Sequence, residues 1–303
     1  MKQPVIAIIG AGCVGSTAAY ACIVHDVAAK ILMVDANVDK CEGEVQDLED
    51  ALSTSRTSTI TSASLKEAAQ ADIIVITAGI AQKPGQTRLE ILKTNYDVIG
   101  SIIKELNPIK KESILIMVTN PVDILTRYAQ EISGLPRNQV FGSGTLLDSY
   151  RMRGFLGKHL SVNPASIEGY VLGEHGDSQF VAWSTVRVGG LPVSSFSSVN
   201  DAVLNEIAMK SQKKAYDLIS CKGFTAFGIA SVIAAYCKAI IDDAKRIYPV
   251  SCFIQDLDVC LSMPAVLGAR GVEYILRPPL SSKEQEQLVA SARVLDEQYK
   301  VLI

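Results

Sequence analysis

Between residues 5 and 142 short, wholly apolar runs alternate with amphipathic stretches, and this alternation restricts the chain to one class of fold. The apolar runs read as strands at 5–9, 31–35, 73–77, 114–118 and 140–142, with a short one near 59–61. Helical spacing fills the intervals at 14–24, 38–52, 65–69, 88–106 and 121–132. Strands that are apolar along their whole length have no face to give to water, so helices must cover both sides of a parallel sheet. Beyond about residue 142 the pattern changes. Longer helices are expected at 149–160, 200–219 and 225–244, strands at 166–171, 252–257, 260–269 and 271–275, and a closing helix at 282–301. The expected fold is α/β: a Rossmann-type doubly wound parallel sheet over 1–143, followed by an α+β substrate domain over 144–303. With no internal repeat, low-complexity tract or long linker, the two halves are expected to pack on each other.

Charge and hydropathy narrow the partners. A net charge of -3 with 20% charged residues leaves no basic excess for phosphate contacts, so nucleic acid is not an expected partner. Hydrophobic residues make up 48% and the mean hydropathy is +0.23, yet runs such as 72–77 are too short to span a bilayer, and no membrane partner is expected. The apolar surplus instead points to a large core plus subunit interfaces, hence a homo-oligomer, dimer or tetramer. Residues 1–4 run straight into a strand pattern and resemble neither a signal nor a transit segment, so the expected location is cytoplasmic. The cysteines at 13, 22, 41, 221, 237, 252 and 260 include no Cys-x-x-Cys pair and read as reduced, buried small hydrophobes, with no metal site.

The first strand runs into Gly10-Ala11-Gly12-Cys13-Val14-Gly15, which then opens a helix. In that setting Gly10 permits a tight turn, Gly12 admits a pyrophosphate to the backbone, and Gly15 lets helix and strand approach closely. The helix N-terminus faces the phosphate charge. Asp35 ends the second strand, twenty residues after Gly15, where a carboxylate accepts the adenosine ribose hydroxyls. The same carboxylate repels a 2′-phosphate, and Ala36-Asn37 supply no arginine to attract one, so NAD is expected over NADP. Thr77-Ala78-Gly79 and Val118-Thr119-Asn120 put small or polar groups at further strand ends, the edge where such sheets bind ligands.

Reactive groups lie in three separate segments. His175, between Gly173 and Gly176, reads as a ring exposed on a tight turn, whereas His25 and His159 read as surface residues. As a general acid His175 would protonate a carbonyl oxygen while hydride arrives from the nicotinamide, and Asp148 would hold its other ring nitrogen. Arg151, three residues past Asp148 and on the same helical face, suits a bidentate clamp on a substrate carboxylate. Residues 80–88 carry Pro84 and Gly85 among polar groups and read as a mobile loop whose closure brings Arg88 to the developing oxyanion. Together these are the parts for proton-coupled reduction of a small 2-oxo acid.

The same segments, in the same order, resemble the L-lactate/malate dehydrogenase family: 10–15, Asp35, 82–88, Thr119-Asn120-Pro121-Val122-Asp123, 144–151, 173–177 and Lys222-Gly223-Phe224-Thr225. The resemblance implies that His175 is the proton donor and acceptor, Asp148 its partner, Arg151 the carboxylate clamp and Arg88 the carbonyl polariser. It further implies that Asn120 contacts substrate and nicotinamide, that Thr225 lines the substrate pocket, and that Val14, Lys40 and Asn95 touch the cofactor. Gln82 stands where lactate-type members differ from malate-type ones, which carry arginine. A neutral amide accepts the methyl end of pyruvate, whereas a second carboxylate buried without a countercharge costs several kcal/mol. The stretch 176–188 looks more like L-2-hydroxyisocaproate dehydrogenases, which take longer aliphatic side chains. Arg153 matches a residue that binds fructose 1,6-bisphosphate in activated bacterial members, but Glu168 replaces the histidine beside it, so no such activation is expected.

Three other functions share parts of this pattern. Malate dehydrogenase is the nearest, and Gln82 opposes it. NAD-dependent glycosidases share a related dinucleotide domain but need a metal site, and no cysteine lies near His175 in the sequence. A non-catalytic family member would have no packing reason to keep Asp148, Arg151, His175 and Arg88 together.

Overall fold

The computed structural model describes residues 3–27, 29–55, 59–80 and 88–302, with only the backbone at 54 and 88–90. Its first half runs β1 (Val5–Ile9), α1 (Cys13–Val24), β2 (Lys30–Val34), α2 (Val38–Ala51), β3 (Thr59–Ser62), α3 (Leu65–Ala68), β4 (Ile73–Ile76), α4 (Arg88–Leu106), β5 (Ile114–Met117), α5 (Val122–Ile132) and β6 (Val140–Gly142). These strands are parallel in the order β3-β2-β1-β4-β5-β6. The chain order reverses between β1 and β4, so a crevice opens beyond their carboxyl ends.

Alternate residues of each strand feed two separate cores, which is why the strands read as continuous apolar runs. Ile6, Ile8, Ile31, Met33, Ile73 and Val75 face one layer, built with α1. Ala7, Ile9, Ile74, Ile76, Leu115 and Met117 face the other, with Ile99 and Ile103 of α4 and Leu125 of α5. Both faces of the sheet are therefore dry.

The second half contains α6 (Leu146–Leu160), β7 (Ile167–Glu168), β8 (Val171–Leu172), β9 (Phe180–Val181), β10 (Arg187–Val188), β11 (Leu191–Pro192), α7 (Asp201–Lys222), α8 (Phe227–Ile241), β12 (Arg246–Ile254), β13 (Val259–Gly268), β14 (Gly271–Ile275) and α9 (Ser282–Lys300). Its long antiparallel strands do not form a sheet of their own. Ser251 of β12 pairs with Gly142 of β6, so β12, β13 and β14 extend the parallel sheet to nine strands.

Several sequence expectations shift. The strand expected at 166–171 is two pieces in different small sheets, β7 against β10 and β8 against β9. Arg153 takes the Gly169 carbonyl through both Nε and Nη2, at 3.2 and 3.0 Å, and Ala182 takes that of Tyr170, so no single ladder runs through. α8 ends at Ile241 rather than 244, where Asp243 and Lys245 adopt positive φ. The strand expected at 252 then begins at Arg246 and carries Pro249, which lies opposite Pro264 of β13 in register. α6 starts at Leu146, before the expected Ser149, because Thr145 Oγ1 donates to Val171 O and Ser149 Oγ receives the Val171 amide, tying the first turn to β8. All seven cysteines are free. Cys13 and Cys221 are exposed, contrary to the expectation of burial, because each lies on the outer side of a helix end.

Candidate active site

The crevice at the β1–β4 switch point is shaped by its glycines. Gly10 has φ +106°, and a Cβ there would lie 2.7 Å from the Ala78 nitrogen. A Cβ on Gly15 would lie 1.8 Å from the Gly10 carbonyl, which no repacking accommodates. By contrast, nothing stands within 4 Å of a Cβ on Gly12, so its backbone edge is open to a ligand at the N-terminus of α1. Val14 is half-buried behind it, packed on the core.

Asp35 follows β2 and holds this loop from the other side. Its Oδ2 accepts the Ala11 amide at 2.7 Å and its Oδ1 the Asn37 amide at 2.9 Å. Asn37 in turn caps α2 by accepting the Lys40 amide, leaving Lys40 exposed on the first turn. Thr77 Oγ1 donates to Gly10 O at 3.0 Å, and Thr119 Oγ1 donates to Ala78 O at 2.6 Å. A Cβ on Gly79 would meet Thr119 Cγ2 at 2.3 Å, so β4 and β5 leave the sheet close together, with Val118 buried between them. Asn95 is buried at this junction, its amide spent on the backbone: Oδ1 accepts Ile80 N–H at 2.7 Å and Nδ2 donates to Asn120 O at 2.8 Å. Asn120 itself is exposed at the end of β5.

The turn that carries His175 is fastened to four elements. Gly173 pairs with Ser262 of β13, and the Glu174 amide donates to Ser291 Oγ of α9 at 2.7 Å. The His175 amide donates to Asp123 Oδ2 of α5 at 2.7 Å. Its ring Nδ1 donates to Asp148 Oδ2 of α6 at 2.8 Å, leaving Nε2 as the outward nitrogen. Asp148 Oδ1 accepts Arg151 Nη1 at 2.9 Å, so one carboxylate orients both groups. The carboxylate side chain is only 3% exposed and the imidazole 27%.

Electrostatics follow from this geometry. Burial draws the His175 ring toward its neutral form, but the charge of Asp148 and its hydrogen bond outweigh that, with help from Asp123, and the ring's pKa is raised. Burial pushes Asp148 up; the His175 and Arg151 charges and hydrogen bonds overcome it and hold the carboxylate below its ordinary range. The site therefore keeps an imidazolium facing a carboxylate to higher pH than an isolated histidine would.

Three sequence-predicted residues thus come together, His175 and Arg151 both bonding Asp148, whereas Asn120 lies at the β5–α5 connection with its carbonyl accepting Asn95 Nδ2. Thr225, half-buried, lies in the loop between α7 and α8. Gly228 just beyond it packs on Leu147 at the start of α6. Arg88 begins α4, but its side chain is outside the described residues, and so is Gln82 entirely. The sequence reading missed Asp123, Glu174 and Ser291 as supports of the His175 turn. The first was visible as a carboxylate inside the 119–123 motif; the last, over a hundred residues away, left no sequence signal. Among the described residues no cluster of His, Cys, Asp or Glu suits a metal ion, and no helix is long and apolar enough to cross a membrane.

A doubly wound sheet with an open glycine loop at its switch point and an acidic residue closing the second strand is the architecture of dinucleotide-dependent dehydrogenases. The comparisons agree. Residues 5–142 match the lactate/malate dehydrogenase NAD binding domain and residues 145–302 match the lactate/malate dehydrogenase alpha/beta C-terminal domain. The chain belongs to the lactate/malate dehydrogenase family, and NAD is its cofactor. It is 43% identical over 290 residues to L-lactate dehydrogenase A of Rhizopus oryzae, covering 96% of this chain and 90% of that one. It is 38% identical over 299 residues to L-lactate dehydrogenase of Clostridium botulinum (strain Loch Maree / Type A3), covering 96% and 94%. The minor L-lactate dehydrogenase from Enterococcus mundtii superposes with a TM-score of 0.96 at 34% identity, covering 99% of each chain. A lactate dehydrogenase from a deep-sea metagenome library superposes at 0.95 with 33% identity, covering 100% of this chain and 99% of that one.

Proposed function

We propose that the protein interconverts pyruvate and L-lactate with NAD, and that His175, Asp148 and Arg151 form its reacting centre. The observation that carries this reading is the single buried carboxylate of Asp148, hydrogen-bonded to both His175 and Arg151. When bound, the nicotinamide supplies or accepts the hydride. The imidazolium donates its Nε2 proton to the carbonyl oxygen and, in the reverse direction, the neutral ring removes the hydroxyl proton. Arg151 clamps the substrate carboxylate with donors not used by Asp148. Arg88 stabilises charge on the oxygen as it develops. Asn120 and Thr225 line the substrate side, and Gln82 receives the methyl end.

On the cofactor side, Gly10, Gly12, Val14 and Gly15 receive the pyrophosphate, and Asp35 the adenosine ribose. Lys40, Thr77, Ala78, Gly79, Asn95 and Val118 complete the cofactor edge; Asn95 acts there through the backbone it holds. We assign 1–143 to the dinucleotide domain and 144–303 to the substrate domain. The enzyme acts as a cytoplasmic homo-oligomer, a dimer or tetramer. Fructose 1,6-bisphosphate does not activate it: Arg153 already gives Nε and Nη2 to Gly169 O. A drop in the pyruvate KM on adding the bisphosphate would contradict that.

The runner-up is an L-2-hydroxyisocaproate dehydrogenase, favoured by the 176–188 sequence. Initial rates of NADH oxidation with pyruvate, 2-oxoisocaproate and oxaloacetate separate the readings. The expected order of kcat/KM is pyruvate first, 2-oxoisocaproate second and oxaloacetate last; a preference for either of the other two acids overturns the lactate assignment.

A further inference from the structure

Asp123 lies on the first turn of α5, 2% exposed, behind the His175 turn. Its Oδ2 accepts the His175 backbone amide at 2.7 Å, whereas Oδ1 is buried and accepts no hydrogen bond from another described residue. Ser251 Oγ and Ser262 Oγ, opposite one another in register on β12 and β13, are buried in the same way. Isolated in such surroundings a carboxylate is costly, and one amide bond offsets only part of that cost. The charge that faces it across the turn is His175. Glu174 adds a like charge from the same turn, Cys252 and Cys260 face it from β12 and β13, and Arg127 and Tyr299 line the small hollow on its other side. Arg127 is engaged elsewhere, by Glu131, the Asp258 carbonyl and the Tyr299 ring.

We propose that Asp123, on the dehydrogenase reading above, is a positioning residue for proton transfer: it fixes the His175 turn through the backbone and, as a second carboxylate beside Asp148, favours the protonated ring. Two consequences follow from its surroundings. Burial pushes its pKa up to about 6, against the pull of the approaching Ser251 hydroxyl, the His175 amide and the His175 charge. Because the ring's value is raised, Asp123 carries its charge where the ring titrates, and the two protonations are linked. Moreover, neutralising Asp123 withdraws support from the imidazolium without touching Asp148.

The test has two parts. In the wild-type holoenzyme, the His175 backbone amide is followed by proton–nitrogen correlation NMR from about pH 5 to about pH 8. Because it donates to a carboxylate, its proton resonance is expected to move upfield as Asp123 protonates, with a midpoint near pH 6. A resonance that stays flat in an active enzyme overturns the role of Asp123. Asp123→Asn keeps an acceptor for the amide but removes the charge. The alkaline midpoint of kcat/KM for pyruvate reduction is expected to fall by about half a pH unit or more, with the KM for NADH within about twofold of wild type. An unshifted midpoint, whether or not overall activity drops, overturns it. Should Asp123→Asn fail to fold, the wild-type amide titration decides alone. A wild type that turns over no 2-oxo acid would instead overturn the dehydrogenase reading.

Discussion

His175 Nδ1 donates to Asp148 Oδ2 at 2.8 Å, and this bond spans 27 residues of sequence to join a turn to the first turn of a helix. Because Arg151 Nη1 occupies the other carboxylate oxygen at 2.9 Å, proton donor and carboxylate clamp share one anchor.

Removing that anchor should therefore cost both functions. Asp148→Asn keeps the shape but loses the charge, and kcat for pyruvate reduction is expected to fall about 100- to 10,000-fold. Asp148→Ala leaves the buried Arg151 guanidinium without its partner and should cost about 3–5 kcal/mol of stability. Stopped-flow single turnovers and urea unfolding measure the two effects. Native-like rates in Asp148→Asn would remove the couple from the mechanism.

The raised His175 pKa has a defined direction in pH. Reduction needs the imidazolium, so kcat/KM for pyruvate should be level at low pH and decline as pH rises through the raised value; lactate oxidation should do the reverse. Stability from the His175–Asp148 pair is fully present below the ordinary histidine pKa of about 6.5 and is lost as pH rises through the raised folded value. The lowered Asp148 pKa acts at the other end: its contribution is present above the ordinary aspartate value and is lost as pH falls through the folded one. Urea midpoints across the pH range should trace both limbs, and a reduction rate that rises with pH would contradict the assignment of His175.

Two glycines three residues apart, Gly12 and Gly15, should respond differently to alanine. At Gly15 a Cβ collides with the Gly10 carbonyl, so Gly15→Ala should destabilise the fold by at least about 1–3 kcal/mol. At Gly12 there is open space, so Gly12→Ala should unfold at the wild-type temperature yet raise the NADH dissociation constant about tenfold or more. Thermal melts and NADH fluorescence titrations distinguish them; equal NADH affinity in Gly12→Ala would move the pyrophosphate away from this loop.

Charge at position 82 should select the substrate. Gln82→Arg supplies the countercharge that a second substrate carboxylate lacks, and the ratio of kcat/KM for oxaloacetate to that for pyruvate should rise about 100-fold or more. No change in that ratio would mean that residue 82 does not face the substrate side chain.

The parallel half of the fold was legible because its periodicity is local. Strands 5–9, 73–76 and 114–117 are apolar throughout, both their faces being buried, and the glycine loop states its own turn geometry. The second half was harder to read. At 166–171 the apolar run looks like one strand until Arg153, from another helix, captures the Gly169 carbonyl. At 246–251 the strand begins after two positive-φ residues and contains a proline, which mask the strand-forming Ile247, Tyr248 and Val250.

The site divides along the same line. The sequence by itself determined the chemistry on offer: an imidazole on a glycine-flanked turn, a carboxylate and a guanidinium three residues apart, and an acidic residue at the end of β2. Only the tertiary structure decided that Asp148 serves two partners, that Asp123 lies behind His175, and that β12 carries the parallel sheet into the second half through Gly142 and Ser251. Residue types and short-range spacing are written in the chain. Hydrogen bonds between residues dozens to hundreds of positions apart depend on how packed layers bring their ends together, and burial then sets the charges those groups hold.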